Sequence, residues 1–161
     1  IASGGNLIMV NPGIRRTRGG SGVIMYFGAG YSRGYVMAAR RAIPEASVIH
    51  GNETMIASTM MQFMPVALDS WPFTLAAAGE YVGTMGMAAY DAAAAGCKIT
   101  VICRTEEHLA DAKAAGFSIA GLGEPSIKQI QKARRRAKTC DLIDSAGVYR
   151  VAERILELAK T

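Results

Sequence analysis

The stretch that most constrains this chain runs from Phe73 to Arg104, FTLAAAGEYVGTMGMAAYDAAAAGCKITVICR. An apolar run, Phe73 to Ala78, is followed by Gly79, Gly83 and Gly86. An Ala-rich segment then stops at Gly96 and gives way to the β-branched run Lys98 to Cys103. This order reads as strand, glycine turn, helix, strand. A helix that begins just past a tight glycine turn presents unpaired backbone N–H groups and the positive end of its dipole, where a phosphate can settle. A second folding competes: one Ala-rich buried helix over residues 73–95. Alanine favours it, whereas each of the three glycines opposes it by roughly 1 kcal/mol. The spacing also departs from G-x-G-x-x-G, which would require glycine at Ala77 and a third glycine one residue before Gly83.

The same grammar occurs upstream. Val23 to Phe27 is an apolar strand candidate that leads into GAGYSRG, Gly28 to Gly34. A helix is expected over Tyr35 to Ala42 and a strand over Ala46 to His50. Gly28, Gly30 and Gly34 are spaced G-x-G-x-x-x-G, a relaxed form of a phosphate-binding turn. Gly79 to Gly83 repeats the pattern before a second Ala/Met helix, so 23–50 and 73–103 read as a βα pseudo-repeat within a doubly wound sheet.

The remaining elements fit one architecture: a single three-layer α/β domain over residues 1–161, with a mainly parallel Rossmann-like sheet and helices on both faces. Candidate strands are 6–10, 23–27, 46–50, 73–78, 98–103, 117–122 and 141–144. Between the first two lies NPGIRRTRGGSG, a turn-rich loop carrying Arg15, Arg16 and Arg18. It reads equally as a flap over an anion or as a solvated basic loop. His50 and Glu53 fall at the carboxyl edge of the sheet, where the capping role of Asn52 or Thr54 is the plainer reading. Met55 to Met64 is a Met-rich helix candidate. Trp71, the single tryptophan, is expected in ordinary core packing. Helices are also expected after Thr105, over Ser126 to Ala137, and over Val151 to Lys160.

Half of the 161 residues are hydrophobic, enough for a real core, and the net charge of +5 favours anionic partners. Cys97, Cys103 and Cys140 form no C-x-x-C pair and read as buried, reduced thiols of a cytoplasmic protein. Cys103 beside Arg104 has the sequence context of an activated thiol, but a strand cysteine is more commonly a small core residue. No apolar span reaches membrane-crossing length, so no membrane is expected. Two histidines give no metal site, and the zincin, P-loop and nucleophile-elbow motifs are missing. Asp141 and Asp144, three apart on an expected strand, would face opposite sides and make no acid–base pair. No catalytic residue is assigned, and whether the chain is an enzyme stays open.

Three pieces carry a resemblance: AAAGEYVGTMGMAA, AGCKITVICRTEEHLADAKAAGF and CDLIDSAG. With them, Phe73 to Lys160 resembles the nucleotide-binding half of medium-chain dehydrogenases and quinone reductases. The resemblance implies that Gly79 and Gly83 approach a pyrophosphate. It also implies that Arg104 faces the 2′-phosphate of NADP, where an acidic residue would favour NAD. The chain lacks that family's separate catalytic domain and zinc ligands, and residues 1–72 read as further α/β structure. Fold and cofactor class therefore carry over, and the reaction does not.

The expected function is binding of NADP or a related nucleotide, as a small oxidoreductase or an enzyme subunit. Its cofactor-binding residues would be Gly28, Gly30, Arg33, Gly34, Gly79, Gly83 and Arg104, with Arg33, Arg104 or the Arg15–Arg18 loop neutralising phosphates. An alternative is a non-catalytic protein that acts by homo-oligomer or partner-protein assembly through Met-rich faces. A third reading, nucleic-acid binding through the basic segment KARRRAK, is disfavoured because no aromatics are interleaved; a solvated helix face is preferred.

Overall fold

The computed structural model describes residues 14, 16–17, 20–28, 31–50, 71–141, 143 and 146–160. The elements are β1 (Gly22–Phe27), α1 (Arg33–Ala42), β2 (Ala46–His50), α2 (Trp71–Ala77), β3 (Ala78–Thr84), α3 (Met87–Ala94), β4 (Lys98–Cys103), α4 (Glu106–Ala114), β5 (Ser118–Leu122), α5 (Ile127–Arg134) and α6 (Gly147–Leu158). The five strands form one sheet in the order β2-β1-β3-β4-β5. Every neighbouring pair is parallel. This is an α/β fold with a Rossmann-like parallel sheet, and its order is one of the two common doubly wound arrangements.

Period-two alternation sorts the strand side chains onto two faces. Val23, Met25, Phe27, Val48, Val82, Ile102 and Ala120 pack with Val36 and Ala39 of α1 and with Ile130 and Ala133 of α5. Ile24, Tyr81, Ile99, Val101 and Cys103 pack on the other side with Leu75 of α2, the alanines of α3, and Ala112 of α4. Each layer is closed by local chemistry. Ser32 caps α1, Thr105 caps α4, and Ser126 with Gln129 forms a reciprocal capping box on α5. Gly96 and Gly116 take positive φ just past α3 and α4, the conformation that ends a helix most cheaply with glycine.

Four strand expectations hold with their bounds nearly unchanged: 23–27, 46–50, 98–103 and 117–122. The expected strand 73–78 does not. Residues 71–77 are helix α2, and the strand is Ala78–Thr84. Pro72 lies in the first turn of α2, where a missing N–H costs nothing, and Leu75 anchors the helix in the core. Tertiary pairing then overrides the poor strand propensity of Gly79 and Gly83, because β3 lies very close to β1. The single helix over 73–95 is likewise not formed.

Around 141–144 the described residues carry no strand. Thr139 makes one antiparallel bridge to Lys98. Beyond it, Asp141 pairs with Arg16, the Cys140 thiol donates to the Ala115 carbonyl, and Ile143 is buried. Among the described residues, these side-chain contacts and the one bridge hold the segment. The helix expected at 151–160 starts earlier, at Gly147. The candidate strand 6–10 and the Met-rich helix 55–64 lie outside the described residues. All three cysteines are buried and free. Among the described residues no helix is long and apolar enough to cross a membrane.

Candidate functional site

The strand order reverses direction between β1 and β3, and open α/β sheets hold ligands in the crevice beyond the carboxyl ends of the strands at such a point. Gly28 follows β1 directly, and a Cβ on it would lie 3.7 Å from Thr84 Oγ1 at the end of β3. The two strand ends therefore stand side by side. The neighbouring turns are tied to β4: the Met85 N–H donates to the Ile102 carbonyl at 3.0 Å, and the Gly123 N–H to the Cys103 carbonyl at 2.8 Å.

The corner after β3 is open. Gly86 caps α3 with φ 155° and ψ −166°, a region open essentially to glycine alone. No side chain caps α3, its first turn holds no acidic residue, and nothing lies within 4 Å of where a Gly86 Cβ would be. The amino end of α3 thus carries neither a side-chain cap nor a carboxylate in its first turn, an arrangement that suits an anion.

The corner after β1 is filled. The Ser32 hydroxyl accepts the Tyr35 N–H at 3.2 Å, and the Ser32 N–H donates to Glu124 Oε1 at 3.3 Å. Glu124 arrives from the turn after β5. The positive end of α1 therefore already has a carboxylate, which disfavours a phosphate at the same place.

An aromatic cluster joins the two sides of this rim. Phe27 meets Tyr31 and Tyr35 edge-on, and the two tyrosines stack at 5.7 Å. Tyr35 Oη donates to the Pro125 carbonyl at 3.0 Å. The Arg104 guanidinium sits 5.6 Å from the Tyr31 ring centre, a cation–π contact. Tyr31 is 5% exposed, and its hydroxyl has no hydrogen-bond partner among the described residues. Burial pushes the Tyr31 hydroxyl up to about 12, against the opposing pull of Arg104. Tyr35 is raised further, by burial first and by Tyr31 and Glu124 next.

Of the residues singled out from the sequence, Gly28 and Arg104 lie at this rim. Arg33 is the exposed first residue of α1. Gly34 is the second residue of α1 rather than part of the turn, because Ser32 caps the helix two residues earlier than expected. Gly79 and Gly83 are corrected: both are inside β3. A Cβ would fall 2.0 Å from the Gly20 carbonyl oxygen at Gly79 and 2.1 Å from that of Tyr26 at Gly83. They allow β1 and β3 to approach and are not turn residues. Gly30, Arg15, Arg18, Glu53 and Asp144 lie outside the described residues. Arg16 lies beside Gly96, ahead of β4 and away from the rim, and pairs with Asp141. Cys103 is fully buried and its thiol is pushed up by burial, the opposite of an activated nucleophile.

Sequence reasoning left Tyr31, Glu124 and the capping role of Gly86 unassigned. For Gly86 the signal was present. With the strand at 78–84, Gly83 and Gly86 take the last two positions of G-x-G-x-x-G, and Tyr81 takes the first. No short-range signal could have announced Glu124, 92 residues from Ser32.

Comparison with protein families, with curated proteins and with solved structures finds no match to this chain.

Proposed function

We propose that the chain binds a nucleotide cofactor of the NADP type across the carboxyl ends of β1, β3 and β4. The observation that carries this reading is the open corner at Gly86, an uncapped helix N-terminus at the switch point with no acidic residue in its first turn. Its backbone donors fit a pyrophosphate. Arg104, one strand over, supplies the cation that a 2′-phosphate requires, and its planar fork suits bidentate phosphate recognition. The described residues thus fit the group: Gly86 and Gly28 allow close approach, and Arg104 provides selectivity for NADP over NAD. When bound, the cofactor would supply hydride chemistry, and the chain would bind and orient it. Calorimetric titration of NADPH, NADH, FAD and S-adenosylmethionine into the pure protein tests the reading. NADPH bound more tightly than NADH supports it, and no heat with any of the four removes it.

A second reading, assembly with another protein chain, is favoured by α6. Tyr149, Ile155, Leu156 and Leu158 of that helix are each well over half exposed. A contiguous exposed apolar patch marks an interaction surface. Light scattering after size exclusion separates the readings: a monomer that binds NADPH supports the first, and a ligand-free oligomer the second.

A further inference from the structure

We infer that the solvent face made by α5, the end of α1 and the start of β4 binds the phosphate backbone of a nucleic-acid duplex without reading its sequence. Residues 126–138 hold six cations and no acid, in a chain whose whole net charge is +5. The structure adds to this helix what the sequence keeps apart. α1 ends in Arg40 and Arg41 with no acidic residue in the helix, and it packs beside α5, where Gln131 Nε2 donates to the Ala42 carbonyl at 3.5 Å. Lys98 at the start of β4 shares a cleft of about 370 Å³ with Gln131, Arg134 and Arg135. The carboxylates that border this face, Glu45 and Glu80, are both held by Arg134, at 2.8 and 2.6 Å. Among the described residues no salt bridge engages Lys128, Lys132 or Arg135.

The outward cations are ordered. Ile130 and Ala133 point into the core, so Lys128, Lys132 and Arg135 stand on the opposite side of the helix and are exposed. Lys128 and Lys132 are separated by a rise of about 6 Å, comparable to the distance between successive phosphates on one strand. The cleft around Lys98 and Arg135 lies toward the amino ends of the strands, whereas Lys128 stands in the first turn of α5, nearer the carboxyl edge.

Two features disfavour an apolar protein partner and a single strand. Interfaces with proteins carry an apolar, aromatic core, yet the exposed large apolar residues (Phe73, Met87, Leu122, Tyr149, Ile155, Leu156 and Leu158) all lie outside α1 and α5. Single strands are gripped by stacking bases on aromatic rings, and no large aromatic is exposed on this face. Tyr35, the aromatic of α1, is engaged with Pro125 at the far end. What remains is a charged surface matched to a backbone, with nothing to read base edges.

The test is fluorescence anisotropy with two labelled duplexes of unrelated sequence between 50 and 300 mM salt, alongside one of their single strands and polyglutamate. Contact with about four to six phosphates predicts a log–log salt slope near −4 to −5 and equal affinity for both duplexes. The double substitution Lys128→Glu, Lys132→Glu should weaken binding at least tenfold and flatten the slope by about two. Where circular dichroism shows that variant unfolded, Lys128→Gln with Lys132→Gln should flatten the slope by the same amount. Four results would each overturn the inference: no duplex binding at low salt, a slope near zero, a tenfold preference between sequences, or tighter binding of the single strand or polyglutamate.

Discussion

Arg104 at the end of β4 rests over the ring of Tyr31, a residue from the turn after β1, 5.6 Å from the ring centre. The contact spans the switch point and holds the cation at the rim. A charge-assisted contact to a phosphate contributes about 1.5–3 kcal/mol. Arg104→Ala should therefore weaken NADPH binding roughly 10- to 100-fold and leave NADH within about threefold, as read by calorimetry. Arg104 also lowers the Tyr31 pKa against burial. The same variant should move the Tyr31 ionisation upward in an ultraviolet pH titration.

Three glycines give opposite outcomes on substitution by alanine. Gly34 lies exposed in α1 with nothing within 4 Å of a new Cβ, so Gly34→Ala should stabilise by about 0.5–1 kcal/mol. Gly86→Ala should cost about 1–3 kcal/mol, because its backbone sits in a glycine-only region. Gly83→Ala would place a Cβ 2.1 Å from the Tyr26 carbonyl oxygen and force β1 from β3. Its expected cost is about 3 kcal/mol or more. Urea midpoints should rank Gly34→Ala above the parent, with Gly86→Ala and then Gly83→Ala below.

The single tryptophan reports on one buried contact. Trp71 Nε1 donates to Asp91 Oδ2 at 2.9 Å, and Asp91 is 8% exposed. Asp91→Ala removes the acceptor and should cost about 1–3 kcal/mol, with a shift in tryptophan emission. Asp91→Asn keeps a carbonyl acceptor and should cost less. Equal losses in the two variants would show that the indole contact contributes little.

Alkaline stability should decline before any tyrosine in the core ionises. Burial pushes the Cys97 thiol from its ordinary 9.0 up to about 11. Between those values the unfolded chain has released this proton and the folded chain retains it, so the native state binds more protons and stability falls as pH rises. The loss attributable to Cys97 approaches about 2–3 kcal/mol by pH 11. Cys97→Ala should flatten the fall in urea midpoint between pH 9 and 11, and an unchanged slope would contradict the assignment.

The sheet was legible wherever a strand carried its own β-branched run, as in Val23 to Phe27 and Lys98 to Cys103. It was illegible at Ala78–Thr84, where two glycines make a poor strand locally and only the closeness of β1 makes it a good one. The same shift moved the turn to Gly86 and took Gly79 and Gly83 out of the site. Arg104 was legible because a strand end fixes a residue's place on the rim. Glu124 was not, because its role depends on α1 and the β5 turn meeting in space.

All three thiols lie beneath the helices α2 to α4 or at the border of that layer, and none lies beneath α1 and α5. A sulfhydryl reagent can therefore reach a cysteine only when that half of the molecule breathes. Its labelling rate becomes a clock for one face alone, and amide exchange in β1 and α5 would time the other. Comparing the two would tell whether the sandwich opens as a whole or leaf by leaf.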